Sequence, residues 1–152
     1  MNTAASKIPP RLQGIIDDFQ WCEGREKLEL LIQYAGQLPS LPDHLSEKRG
    51  GMEDVPECMT PVHLLAEIKD GKLTYYFDVP EESPTVRGFA ALMAEGLNDS
   101  TPEEVLLVPN DFYHQMGLDS VLTHQRLNGI SAILAHMKRL ALDHISQPRA
   151  PQ

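Results

Sequence analysis

Cysteine is scarce in this chain, with two residues among 152, Cys22 and Cys58. That count excludes a disulfide framework and an all-thiolate zinc or iron–sulfur site within one chain, but it leaves room for a single reactive thiol. Cations are also in short supply, thirteen Lys and Arg against twenty-two Asp and Glu, for a formal charge of −9. Such a balance repels phosphate backbones and anionic lipid, so neither nucleic acid nor a membrane surface is an expected partner. No apolar run approaches the length of a bilayer span, and Met1 to Pro10, with one Lys, two prolines and no apolar core, do not read as a signal peptide. The expectation is a cytoplasmic protein. Hydrophobic content of 41% over this length suits one domain with a real core.

What is present is mostly helical periodicity around one hairpin. Leu12, Ile15, Ile16 and Phe19 recur at i, i+3, i+4, i+7 behind Pro9 and Pro10, which predicts a short first helix. A second periodic run puts Leu28, Leu31, Ile32, Ala35 and Leu38 on one face, ending at Pro39. Residues 39–61 carry four prolines, two adjacent glycines and many charges without a sustained period, and read as a long surface loop. Two alternating stretches follow, Val62 to Lys69 and Lys72 to Val79, joined by Asp70-Gly71. That dipeptide favours a type I′ turn, which sets Ile68 opposite Leu73, Ala66 opposite Tyr75 and Leu64 opposite Phe77 on one apolar face. The other face pairs Leu65 with Tyr76, Glu67 with Thr74 and His63 with Asp78. From Pro84 the period returns to 3.6 through Val86, Phe89, Ala90, Met93 and Leu97. Thr101-Pro102-Glu103-Glu104 is a capping box, residues 110–116 suit a short helical turn ending at Gly117, and Thr123 caps a long helix lined by Leu127, Ile130, Leu134, Met137 and Ala141. The fold class expected is α+β, a small antiparallel sheet packed against helices. Its boundaries are a flexible start at 1–7, one domain over 8–146 and a loose tail at 147–152.

Cys58 ends the long loop, between Pro56 and Pro61 and just before the hairpin. The prolines remove backbone donors and favour an extended segment that presents the side chain outward, as a reactive thiol requires. The competing reading is a small apolar residue tucked beneath a loop, since free cysteine is among the most buried residue types. Glu53, Asp54 and Glu57 raise the pKa of a neighbouring thiol, so this loop does not activate its own cysteine. A cation from elsewhere in the fold, such as Arg126 near the start of the last helix, or one supplied by a partner, is needed for that.

At this point the residues resemble a family. Cys58 followed by Thr60-Pro61-Val62 and a hairpin, Val86-Arg87-Gly88 opening the next helix, Thr101-Pro102-Glu103-Glu104-Val105-Leu106, and Leu122-Thr123 with Arg126, Asn128 and Gly129 occur in the order seen in SufE sulfur-acceptor proteins. Gly36-Gln37-Leu38-Pro39 after paired helices also fits, and the resemblance spans roughly residues 8–145. It implies the fold shared with NifU/IscU scaffolds and a role in accepting sulfane sulfur from the persulfide of a pyridoxal-phosphate cysteine desulfurase. It further implies stimulation of that enzyme and delivery of sulfur to a downstream iron–sulfur scaffold, with Cys58 at the acceptor position. Glu57, Met59, Thr60 and Arg126 are the implied partner-binding residues, no cofactor or metal is implied for this chain, and an acid near Glu82 is placed around the loop. One departure is visible: the common pattern has Gly before the cysteine and Gln-Ser after it, where this chain has Glu57, Met59 and Thr60. Glu57 lacks a glycine's backbone freedom, which bears on loop conformation and partner choice. Thiol–persulfide exchange needs one accessible thiolate and no general-base triad on the acceptor, so one placed cysteine is enough.

Other residues have plainer readings. Cys22 follows the apolar face of the first helix and reads as core filler. Six histidines include no His-x₃-His pair and no HExxH pattern, and His63 has a cross-strand partner in Asp78. A protein-interaction module of the same fold with an incidental thiol is the main alternative function. A cysteine hydrolase using Cys58 with His63 lacks an evident oxyanion donor.

Overall fold

A computed structural model describes residues 8–46 and 51–146. The expected flexible start, the loose tail and four residues of the long loop lie outside the described residues. Helix α1 spans Pro10–Gln20, with Leu12, Ile15, Ile16 and Phe19 buried as their spacing predicts. Helix α2, Arg25–Ala35, departs from expectation: it buries Lys27, Leu31 and Tyr34, while Ile32 is exposed. The cause is Lys27, whose Nζ donates to the carbonyls of Phe19 and Cys22, each at 2.6 Å. These bonds satisfy the Cys22 carbonyl and add a charged donor to that of Phe19, which also accepts from the Cys22 N–H at 3.1 Å, so the face of α2 that carries Lys27 turns inward and Ile32 outward.

The long loop is not structureless. It contains a helical turn, α3, at Asp43–Ser46 and a two-residue strand, β1, at Glu53–Asp54. Strand β1 pairs antiparallel with β2, His63–Lys69, which pairs antiparallel with β3, Lys72–Asp78. The β2/β3 register is the predicted one, with Leu64 opposite Phe77, Ala66 opposite Tyr75 and Ile68 opposite Leu73. Asp70 and Gly71 take φ of 54° and 80°, the left-handed pair that a type I′ turn demands.

Helix α4, Pro84–Leu97, is buried on nearly every side rather than along one stripe. Its small residues permit this. A Cβ on Gly88 would stand 1.9 Å from the Leu31 carbonyl oxygen of α2, and one on Gly96 would meet Leu12 of α1 at 2.8 Å. Helix α5, Pro102–Leu106, carries the full capping box of Thr101 and Glu104. Helix α6, Tyr113–Met116, stops at Gly117 with φ 74°, and a 3-10 turn over Leu118–Ser120 leads to α7, His124–Ser146. The stripe of Leu127, Ile130, Leu134, Met137 and Ala141 is buried. The Tyr75 hydroxyl donates to the Met137 carbonyl at 2.8 Å and ties the sheet to α7, so the Cys58 loop at the β1/β2 end faces a fixed helix.

Candidate functional site

The loop carrying Cys58 is closed at its neck, where the Val55 N–H donates to the Val62 carbonyl at 3.0 Å. Inside the neck the Cys58 N–H returns to the Val55 carbonyl at 3.2 Å. This tight turn directs the Cys58 side chain inward against the core and leaves Met59 80% exposed. The outward presentation expected from the flanking prolines is therefore corrected: the turn's hydrogen bond, not the prolines, sets the direction of the thiol. Cys58 is half-buried, and its S–H donates to the Gly129 carbonyl at 3.4 Å. At Gly129 α7 lies against the thiol, since a Cβ there would stand 3.0 Å from Sγ. Burial, and then the negative charge of Glu57, push the thiol up from 9.0 to about 11. In this state the sulfur is a protonated donor rather than a nucleophile.

Beside the sulfur opens a cleft of about 360 Å³ bordered by Met59, Thr60, Val86, Arg126, Gly129 and Ile130. Thr60 is fixed at its rim by a 2.9 Å hydroxyl–hydroxyl bond to Ser83. Arg126 occupies the first turn of α7, where its backbone N–H is capped by Thr123 Oγ1 at 3.2 Å. Of the residues the sequence picks out, Cys58, Met59, Thr60 and Arg126 share this cleft; Glu57 points elsewhere, and Glu82 does not line it.

Glu57 belongs to a second cluster that sequence reasoning missed. His136, on α7, holds Glu53 Oε2 through Nδ1 at 2.7 Å and Glu57 Oε1 through Nε2 at 3.0 Å. Arg139 grips both oxygens of Glu53, through Nε at 2.7 Å and through Nη2. Burial acts to lower the pKa of His136, but its bonds to the two carboxylates outweigh this and hold it above the usual value. Glu53 is held below the usual range by the hydrogen bond from Arg139, against burial and with help from His136. Glu57 is lowered by its own backbone N–H and then by His136. A signal for this cluster exists in the sequence: Arg126, Gly129, Ile133, His136 and Arg139 recur at helical spacing and form one stripe of α7. Glu57 also lies outside the left-handed backbone region, so the position does not require a glycine.

His63 faces Asp78 in the register, and its ring approaches Asp54 of β1 at 3.6 Å. With Cys58 donating to a backbone carbonyl, which cannot take its proton, the nucleophile–base pair of a hydrolase is not formed. Among the described residues, no group of three or more His, Cys, Asp and Glu is arranged to hold a metal ion, and no helix is long and apolar enough to cross a membrane.

Known proteins are similar to this chain in sequence and in fold. An uncharacterised SufE-like protein of Mycobacterium tuberculosis is 41% identical over 138 residues, covering 90% of this chain and 95% of its own. The cysteine desulfuration protein SufE of Plasmodium vivax is 26% identical over 133 residues, 86% of this chain and 52% of its own. The solution structure of a hypothetical protein from Thermus thermophilus superposes with a TM-score of 0.81 at 34% identity, over 92% of this chain and 99% of that one. The profile of the SufE, Fe-S metabolism associated, domain matches residues 13–141. The chain belongs to the SufE family, and its role lies in iron–sulfur metabolism.

Proposed function

We propose that this protein accepts sulfur at Cys58 from the persulfide of a pyridoxal-phosphate cysteine desulfurase, stimulates that enzyme, and relays the sulfur to an iron–sulfur scaffold in the cytoplasm. The observation that carries the reading is the lone thiol on a neck-closed loop, seated against Gly129 beside an open cleft. In the transfer the Cys58 thiol gives up its proton and the thiolate attacks the outer sulfur of the donor persulfide. A new S–S bond forms on Cys58, the donor's S–S bond breaks, and the donor cysteine leaves as a thiolate that takes up a proton. No electrons are gained or lost overall. The raised pKa fits a thiol kept unreactive until docking draws it from its seat, with the cation supplied by the partner's site or by Arg126 at the cleft rim. Met59, Thr60 and Arg126 border the cleft beside the sulfur, Glu57 precedes it in the loop, and these are the residues such a partner would meet first.

The test is incubation with a cysteine desulfurase, cysteine and pyridoxal phosphate, followed by intact-mass measurement without reductant. Gain of one sulfur by the protein, absent in Cys58→Ser, together with faster alanine release, is the expected result. No adduct and no acceleration would refute the reading. Acceleration retained by Cys58→Ser would identify an interaction module with an incidental thiol instead.

A further inference from the structure

A neutral imidazole carries one N–H, yet both ring nitrogens of His136 face carboxylates at hydrogen-bonding distance. The geometry is that of an imidazolium donating twice, and it joins three separate pieces of the chain: Glu53 of β1, Glu57 next to Cys58, and α7, which seats the sulfur. We propose that His136 is a positioning residue that latches the Cys58 loop to α7 while doubly protonated, and that loss of its proton frees Glu57 and lets the thiol leave its seat.

The order of release follows from the partners. Glu53 is gripped by Arg139 as well, and its side chain is 16% exposed, whereas the Glu57 side chain is 53% exposed and its other partner is its own backbone N–H, which ties it to no second element. The remaining proton therefore stays on Nδ1 toward Glu53, and the Nε2 lone pair then points at the Glu57 carboxylate and repels it. The other charges around the ring do not supply a substitute. Arg139, on the same helix, is committed to Glu53 and to Asp143, and on the sheet side His63 is paired with Asp54. From α5, Glu103 lines a separate cleft with His144, two turns further along α7. Glu57, the departure from the family's glycine, thus gains a role: it is the loop's handle, and His136 is what holds it.

Alkylation of Cys58 by iodoacetamide, followed on the peptide that carries it, tests the latch in the full chain. Below the thiol's pKa the rate rises tenfold per pH unit because the thiolate is the nucleophile, so a fixed loop gives a log-rate slope of one. In the wild-type protein the slope is expected to exceed one between the ordinary imidazole value of 6.5 and the raised value of folded His136, with about a tenfold extra gain in all for a charged but half-exposed hydrogen bond. His136→Gln and Glu57→Ala should restore a slope of one and react faster than wild type at about pH 6. In a ¹H–¹⁵N spectrum both ring nitrogens of wild-type His136 should carry protons at that pH. A wild-type slope of one throughout, a neutral His136 ring at about pH 6, or an excess slope that survives in both variants would overturn the latch. The biological meaning of the latch rests on Cys58 being the sulfur acceptor. Alkylation reads the loop directly, so a latch without sulfur transfer, and sulfur transfer without a latch, give different results.

Discussion

Substituting Gly129→Ala sets two effects against each other on one atom. A Cβ at this position would lie 3.0 Å from Cys58 Sγ, about 0.5 Å or more short of a relaxed contact between heavy atoms. The sulfur sits on a loop, so it moves before α7 does, and its bond to the Gly129 carbonyl is lost. Replacing glycine by alanine inside a helix gains about 0.8–1 kcal/mol, which offsets the roughly 0.5–1 kcal/mol of a weak S–H hydrogen bond. Stability to urea should therefore stay within about 1 kcal/mol of the parent. Reactivity should not stay put. Burial and Glu57 together hold the thiol at about 11 rather than 9.0, and relief of half that displacement, about one pH unit, raises the thiolate population at pH 8 about tenfold. The lower pKa makes each thiolate a poorer nucleophile, leaving a net gain of about three- to fourfold in alkylation rate. The assay is the iodoacetamide rate on the Cys58 peptide beside a urea melt. Unchanged alkylation in a folded variant would show that contact with α7 does not seat the sulfur, and the account of its shielding would fail.

Gly88→Ala should be far more damaging, by about 3 kcal/mol or more in urea, because its Cβ would stand 1.9 Å from the Leu31 carbonyl and α2 must separate from α4; parent-like stability would refute this packing. Lys27→Met should cost about 1–3 kcal/mol by stranding the Cys22 carbonyl and taking a charged donor from that of Phe19, which keeps the Cys22 N–H, and a melt unchanged from the parent would count against the reading of Lys27 as a buried cap. Cys58 has a raised folded pKa, so its contribution is complete below pH 9.0 and is lost as pH rises toward about 11. The stability difference between the parent and Cys58→Ser should shrink across that window, and a constant difference would argue against a buried, protonated thiol. Glu53 has a lowered folded pKa, so its contribution is present above pH 4.5 and is lost as pH falls through the folded value. Arg139→Ala should move that loss to higher pH and cost about 1 kcal/mol near neutrality, and an unchanged acid melt would refute the pairing.

The hairpin is legible because a period of two and Asp70-Gly71 specify the register together, and α1 because its four apolar residues leave one choice of face. Helix α2 defeats the same reasoning where a cation takes a core position, since periodicity counts Lys27 as polar and cannot see the carbonyls it caps. Strand β1 is two residues long and is formed by its neighbour, so no local pattern announces it. At the site, the identity and neighbourhood of Cys58 are readable, but the direction of its thiol is not. That direction depends on the Cys58–Val55 turn and on Gly129, which is 71 residues away. His136 and Glu57 are likewise 79 residues apart, and their meeting depends on how α7 crosses the sheet end.

The bond between Val55 and Val62 sets a mechanical limit on any encounter at Cys58. Cys58 lies three positions beyond Val55 of the neck, and even a fully extended segment of that length reaches only about 10 Å. As long as the neck holds, the sulfur swings on a short tether and cannot be paid out like a flexible arm. In the proposed sulfur transfer, a donor must bring its persulfide to within that radius of the sheet end, which demands broad contact between the two bodies around the loop. Range is thereby exchanged for selectivity: a small thiol drifting in solution gains little from so short a lever, whereas a shape-matched protein surface can place its sulfur within the arc.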